Sequence, residues 1–372
     1  MQDTNLFLSV ACALTPGIGP QKYQALRAAF ATFAELGEAS EQLITSIIGS
    51  TLASSLYRMI HERDAIERFI TSTSDKNIGI IPFGSPQYPE KLLALSDPPI
   101  CLFVAGVTPD HPLPDLNHIP HESQKLAIVG SRKHTLYGKV ATEMIAAHLA
   151  RAKVTVVSGL ALGIDTIAHE TTLLAKGNTI AVLGCGVDVI YPSENTRLYH
   201  TLLENHHHII SEFTPGTKPS RGTFVARNRI ISGISSGTIL IEGDMHSGSL
   251  TTAGFAAEQN RDVFAVPGPI TSALSAAPLR LLREGAILIT EPQDILDHYA
   301  LHMHMNTQHI EEELSDSEKN IVRQISQEAL FPDEIALMMN MTVSAIMCTM
   351  TELELKNIVR RDDVGRYQYF RT

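Results

Sequence analysis

The 372-residue chain carries 29 Lys and Arg against 40 Asp and Glu, a formal net charge of -11. That balance excludes a protein that coats DNA through overall basicity, and an apolar fraction of 44% excludes a disordered chain. Cys12, Cys101, Cys185 and Cys348 lack pair spacing, which argues against a zinc site or disulfide framework; without a signal pattern or an apolar run of ~18 residues, a cytoplasmic protein with no membrane partner is expected.

Residues 1–75 read as an N-terminal helical domain. An apolar helix over Leu6–Leu14 breaks at Thr15-Pro16-Gly17-Ile18-Gly19-Pro20, and a second follows through Lys22, Leu26 and Phe30. Two helices around a Gly-Ile-Gly turn resemble a helix-hairpin-helix (SAM-like) unit, whose turn amides can accept a phosphate. A plain helical hairpin accounts for the same glycines through positive φ.

Residues 76–304 alternate strand and helix. Residues 79–105 give a strand, a helix starting at Tyr88-Pro89 and another strand, an extension of the core that follows. Apolar strands are expected at Leu126–Val129, Val154–Val157, Thr179–Leu183, Ile209–Ile210, Thr238–Ile241 and Val263–Val266, with helices between. Fully apolar strands separated by helices imply a parallel sheet covered on both faces. The fold class is therefore α/β, a Rossmann-like doubly wound parallel sheet. Residues 305–314 form an acidic linker, and 315–372 give helices at Ser317–Glu328, Pro332–Met339 and Val343–Leu355 plus a hairpin with Arg360, Gly365 and Tyr367, a C-terminal winged helix. Its third helix contains Glu352 and Glu354 but no Lys or Arg. A helix that reads bases needs donors and cations, so this one is expected to contact protein.

Charge is distributed unevenly. Between Glu212 and Glu242 there is no carboxylate, yet Lys218, Arg221, Arg227 and Arg229 occur there, with Phe224 between them. From Ser123 to Ile164 the only acid is Glu143, against Lys125, Arg132, Lys133, Lys139, Arg151 and Lys153. Arginine forks fit phosphate oxygens, and an exposed ring can stack on an unpaired base. A solvated loop whose arginines pair with acids elsewhere fits the same pattern.

In a doubly wound sheet, ligands lie beyond the carboxyl ends of the strands. The residues there are small and polar: Gly130, Ser131 and Arg132; Ser158, Gly159 and Gly163; Gly184-Cys185-Gly186; and Ser247, Gly248, Ser249 and Thr251 opening a helix. Amides at such turns can approach a phosphate closely. No strand is followed by G-x-G-x-x-G, so no nicotinamide or flavin cofactor is expected. Asp165 and His169 fit a capping carboxylate and a hydrogen-bonded histidine better than an acid–base pair. Glu212 and Glu242 are expected to orient Arg227 or Arg229. Adjacent His206, His207 and His208 cannot all face one metal ion.

These segments together resemble the DprA/Smf family of DNA-processing proteins. The resemblance runs through Tyr88-Pro89, Ile128–Arg132 with Tyr137-Gly138, Ser158–Asp165 with Ala168-His169, Gly184–Gly186 with Tyr191-Pro192, and Ser211–Phe213. It continues through Phe224–Arg229, Ser247–Thr251, Ala265–Gly268 and Gly285-Ala286. It implies a non-catalytic protein that binds single-stranded DNA, dimerises through its Rossmann-like domain, and loads the recombinase RecA during natural transformation. The family's Gly-Ser-Arg turn falls on Gly130-Ser131-Arg132, and its Phe-x-x-Arg-Asn-Arg element on Phe224, Arg227, Asn228 and Arg229. Two positions depart from the family pattern: Ser275-Ala276-Ala277-Pro278-Leu279, where Ser-x-Gly-x-Asn is usual, and Val225 in place of a proline. The alternative is a nucleotide-cleaving phosphoribohydrolase with the same phosphate-lined fold. Its Pro-Gly-Gly-x-Gly-Thr-x-x-Glu run is not matched by Glu242–Thr251.

Overall fold

The computed structural model describes residues 2–118, 124–301, 315–325, 329–355, 358–362 and 365–369, which fall into two compact units, 1–303 and 304–372. The expected linker at 305–314 lies outside the described residues.

Six helices run from Gln2 to Asp75. Thr32 and Ser40 cap two of them by accepting from Glu35 N and Leu43 N. Gly17 takes φ +91° at the predicted break, where a Cβ would come within 2.9 Å of Leu52. The turn glycine thus serves helix packing, as the plain hairpin requires. The helical core of Leu8, Tyr23, Leu26 and Leu56 closes on Ile100, Ile80 and Phe83 of the sheet region.

Nine strands form the central sheet: β1 (Ile78–Pro82), β2 (Cys101–Ala105), β3 (Gln124–Val129), β4 (Val154–Ser158), β5 (Thr179–Val182), β6 (His208–Ser211), β7 (Gly237–Leu240), β8 (Asp262–Ala265) and β9 (Ile287–Leu288), in the order β1-β2-β6-β5-β4-β3-β7-β8-β9. β3 through β9 pair in parallel. β1 and β2 extend the sheet as expected, with β2 antiparallel to both β1 and β6. Residues 83–100, which include the short Glu90–Leu93 helix, join β1 to β2.

Alternate strand residues serve opposite faces. Ala127, Val129, Val157, Val182 and Leu240 pack under Ile230, Ile231 and Ile234 of the Arg221–Ile234 helix. Leu126, Ile128, Val156 and Ile239 pack against Ile145, Leu149, Ile164 and Ala168 of the Leu136–Arg151 and Ile164–Leu174 helices. Burial on both faces explains why these strands read as continuous apolar runs.

The second unit contains helices Asp316–Ile325, Pro332–Met339 and Val343–Leu355 and a hairpin of β10 (Val359–Arg361) and β11 (Tyr367–Tyr369). Ile321, Ile335, Ile346, Met350, Leu353 and Tyr367 form its core. Among the described residues no single helix is long and apolar enough to cross a membrane.

Candidate nucleic-acid interface

The strand order reverses between β3 and β7, so the topological rule puts a ligand crevice between their carboxyl ends. The protein fills that crevice itself. Glu242, just past β7, is 3% exposed, and its carboxylate accepts from Thr135 N at 2.9 Å and Thr135 Oγ1 at 2.5 Å. A Cβ on Gly138 would come within 2.1 Å of Glu242 Oε2, so this glycine makes room for the carboxylate. Glu242 was expected to orient an arginine; it holds the start of the Leu136–Arg151 helix instead. Beside it, Ser247 and Ser249 hydrogen-bond each other at 2.6 Å, and Ser249 is buried. Ala277 N donates to Gly243 O at 2.9 Å, so the segment that departs from the family pattern braces this loop.

The opening lies one strand over, above β4 and β5. Arg132, Gly159, Ala161, Leu162, Tyr191, Pro192 and Phe224 line a small pocket of about 40 Å³. Phe224 is half-buried on the first turn of the Arg221–Ile234 helix, which Ser220 caps by accepting from Thr223 N. Its ring lies against Gly184, where a Cβ would approach to 2.6 Å. The Tyr191 ring is 5.5 Å from it, tilted by 40°, and 41% exposed. The Arg132 guanidinium stands 5.5 Å from the Phe224 centroid. Arg132, Lys218 and Arg221 are exposed and have no hydrogen-bond or ion-pair partner among the described residues. An unpaired guanidinium above an aromatic face is free to exchange its hydration for an anion.

Two of the expected arginine contacts are not at the surface. Arg227 is 4% exposed, and its Nη1 donates to Gly159 O at 2.6 Å and to Val182 O, joining the ends of β4 and β5. Burial pushes this guanidinium down to about 10, opposed by the negative charge of Asp165. Arg229 is also 4% exposed; it pairs with Glu212 at 2.6 Å, as expected of that acid, and with Asp97 at 2.9 Å. Both side chains were placed in the binding set because sequence shows charge and not depth. Asn228 Nδ2 donates to Gly248 O at 3.3 Å, and Ser158 Oγ to Ile128 O at 2.7 Å, so these polar groups are likewise used internally.

The glycines have a related explanation. A Cβ on Gly159 would sit 2.4 Å from Arg227 Nη1, and Gly163, at φ +83°, packs against Ser131 O. They admit a guanidinium and a neighbouring loop. Gly130 packs against Ile164, and Ser131 Oγ accepts from Lys133 N at 3.1 Å. Of the expected set, Gly248 is exposed, and Ser247 and Thr251 are half-buried. Tyr191, Ala161, Leu162 and Asp97 were missed as site residues; Ala161 and Leu162 lie in the turn after β4 that the sequence marks through its glycines, and Tyr191 lies nine residues past β5. Asp165 accepts from Gly159 N at 3.1 Å, and His169 is buried against Thr179 Oγ1 at 2.7 Å, pushed down by burial to about 3. His206 stacks on His111 at 3.5 Å, and no cluster of metal ligands occurs among the described residues.

Comparison with known proteins gives a consistent result. Residues 79–300 match the model of DNA recombination-mediator protein A, and residues 306–363 match the DprA winged helix domain. Protein Smf of Escherichia coli K12 is 41% identical over 256 residues, covering 69% of this chain and 66% of that protein. The crystal structure of DNA processing protein A from Streptococcus pneumoniae aligns with a TM-score of 0.66 at 33% identity, covering 81% of this chain and 99% of that one. The structure of DNA processing protein A from Helicobacter pylori, described for its unique single-stranded DNA binding mode, aligns with a TM-score of 0.50 at 30% identity, over 60% of this chain and 97% of that one.

Proposed function

This chain belongs to the DNA recombination-mediator protein A (DprA/Smf) family, and from that premise we propose that it binds single-stranded DNA without a catalytic step. The observation that carries the reading is the exposed, unpaired Arg132 over the half-buried Phe224 at the mouth of the pocket. An unpaired base presents a π face that Phe224 and Tyr191 can meet, while Arg132, Lys218 and Arg221 meet the phosphates that flank it. Gly130, Ser131, Gly159 and Gly163 shape the rim; Arg227, Asn228 and Arg229 hold the helix that carries Phe224. The Ser247–Thr251 turn lies along the same sheet edge and extends the contact. Dimerisation through the Rossmann-like domain, and loading of the recombinase RecA onto the bound strand during natural transformation, complete the proposal. The single-stranded DNA binding mode described for the Helicobacter pylori relative supports the choice of single strands. A nucleotide-cleaving role is less well supported, since Glu242 is engaged by Thr135.

The test is a fluorescence-anisotropy titration of single- against double-stranded oligonucleotides of equal length at several salt concentrations. Single strands bind more tightly, with little sequence preference and a steep fall with salt as counterions are released. Equal or tighter duplex binding at ~0.15 M salt would sink the reading.

A further inference from the structure

A second ring stands at the same sheet edge as Phe224, on the other side of Arg132. Tyr137 sits on the first turn of the Leu136–Arg151 helix, which Thr135 caps by accepting from Gly138 N at 3.1 Å. It is 45% exposed. Its Oη donates to Pro267 O at 2.5 Å, just past β8. A phenol satisfied by a backbone carbonyl holds its ring in one place while part of the ring stays open to solvent. A platform fixed before its ligand arrives loses little freedom on binding.

The two rings are built alike. Phe224 lies on the first turn of a capped helix, with Lys218 and Arg221 just before it, and Tyr137 follows Arg132 and Lys133. Lys133 is exposed, and no hydrogen bond or ion pair engages its ammonium among the described residues. The carboxylates around this turn are engaged within the protein. Thr135 donates to Glu242, Lys139 pairs with Glu143 at 3.7 Å, and Asp244 Oδ1 accepts from His246 N at 2.8 Å. Gly184, against which Phe224 lies, follows β5; Arg132 follows β3; and Pro267 follows β8. The sheet order β5-β4-β3-β7-β8 therefore places the Arg132-Lys133 turn between the two rings. Four inter-strand steps of ~4.8 Å put the supports of the rings roughly 19 Å apart. Glu242 and Thr135 close the crevice between β3 and β7, so protein floors the span.

We propose that Tyr137 is a second base-stacking platform, and that a single strand runs from Phe224 across the Arg132-Lys133 turn to reach it. An unpaired base meets the Tyr137 ring, and Lys133 meets a phosphate between the two platforms. Charge and ring together select this occupant: an ammonium without a carboxylate partner suits a polyanion, and an open ring suits a base that is not already stacked in a duplex. A span of this size takes several nucleotides, in keeping with the ~4–16 that single-strand grooves hold. The inference rests on the reading of the pocket as a single-strand site and extends that site along the sheet edge.

Anisotropy titrations of the full-length protein with single-stranded oligonucleotides of graded length, ~4 to ~16 nucleotides, provide the test. Tyr137→Ala weakens binding of the longest strand roughly tenfold, as one lost stack does, and the loss shrinks as the strand is shortened. Tyr137→Phe keeps the ring and recovers most of that loss. Lys133→Gln lowers the slope of log affinity against log salt by about 0.7, the value for one phosphate contact on a single strand. Lys133 is exposed, so this variant carries the test if Tyr137→Ala fails to fold. Wild-type affinity at every length in folded Tyr137→Ala protein, or an unchanged slope in Lys133→Gln, overturns the platform. The first of these would give the ring, with exposed Leu136 and Val140 beside it in the helix, to a protein partner. If Phe224→Ala still weakens binding in that case, the pocket reading stands alone; if the wild-type protein binds no single strand, both readings fall.

Discussion

Arg132 and Arg227 approach the same phenylalanine from different environments. Their guanidinium carbons lie 5.5 and 5.8 Å from the Phe224 centroid. Arg132 is exposed and unpaired, whereas Arg227 is sealed under the helix and spends its donors on Gly159 and Val182 carbonyls. Acid depletion in the sequence marks both. It removes competitors for an external anion at the rim, and beneath the rim it leaves a buried charge to be satisfied by backbone oxygens. A buried guanidinium is costly to desolvate and more costly to strand. The inner arginines are therefore expected to bear on stability, and the outer one on binding.

The largest expected effect tests the inner side. Arg229→Ala leaves Glu212 buried without its partner, and breaking such a pair costs about 3–5 kcal/mol. Urea denaturation should show a loss of this size, and Arg227→Ala a comparable one. A loss below about 1 kcal/mol would place these arginines with the binding groups.

Buried histidines give a pH test of the same contrast. Burial pushes His169 down to about 3 and His208 to about 4, below the unfolded value of ~6.5. The unfolded chain therefore binds protons that the folded chain excludes, so this contribution is present above pH ~6.5 and is lost on acidification toward pH ~4, at up to ~1.4 kcal/mol per unit for each group. Asp165 and Glu212, raised by burial, act in the opposite sense. His169→Gln isolates the histidine: it should reduce proton uptake on unfolding by close to one at pH ~5. An unchanged uptake would mean that His169 stays protonated in the fold.

Much of the fold was legible because burial on two faces leaves a direct mark on strands such as Val154–Ser158, and the Pro332–Met339 and Val343–Leu355 helices match their expected bounds. The direction of β2 was not legible, since the apolar run Cys101–Ala105, paired on both sides, is the same either way. At the site, sequence identified the sheet edge and Phe224 but could not separate surface from depth. Arg132 follows the Gly130-Ser131 turn and Arg227 lies inside the Arg221–Ile234 helix, both in acid-poor stretches, and only packing against Gly159 puts the second at depth. Tyr191 is far from Phe224 in sequence, and its approach depends on the sheet order.

At the rim the expected effects fall on affinity. Arg132→Ala should weaken single-strand binding by roughly 1.5–3 kcal/mol, with thermal stability nearly unchanged because the side chain is exposed and unpaired. Phe224→Ala should cost about 1–3 kcal/mol of binding through lost stacking. Its ring also fills the space over Gly184, so a modest drop in melting temperature accompanies it. Should folded Phe224→Ala bind like wild type, the ring is packing alone.

The smallest effect is expected from the second unit. Removing residues 304–372 takes away the Val343–Leu355 helix, whose sequence has no Lys or Arg. Its Ile346, Met350 and Leu353 are committed to the unit's own core. A helix so occupied has no cation for phosphate and little for base edges. The truncated protein retains the pocket, both arginine populations and the whole nine-stranded sheet. Its affinity for single strands should therefore stay within about threefold of the full chain, a change of under ~0.7 kcal/mol. A loss beyond tenfold in a folded truncation would make the winged helix a DNA-binding element and move part of the binding energy away from the rim.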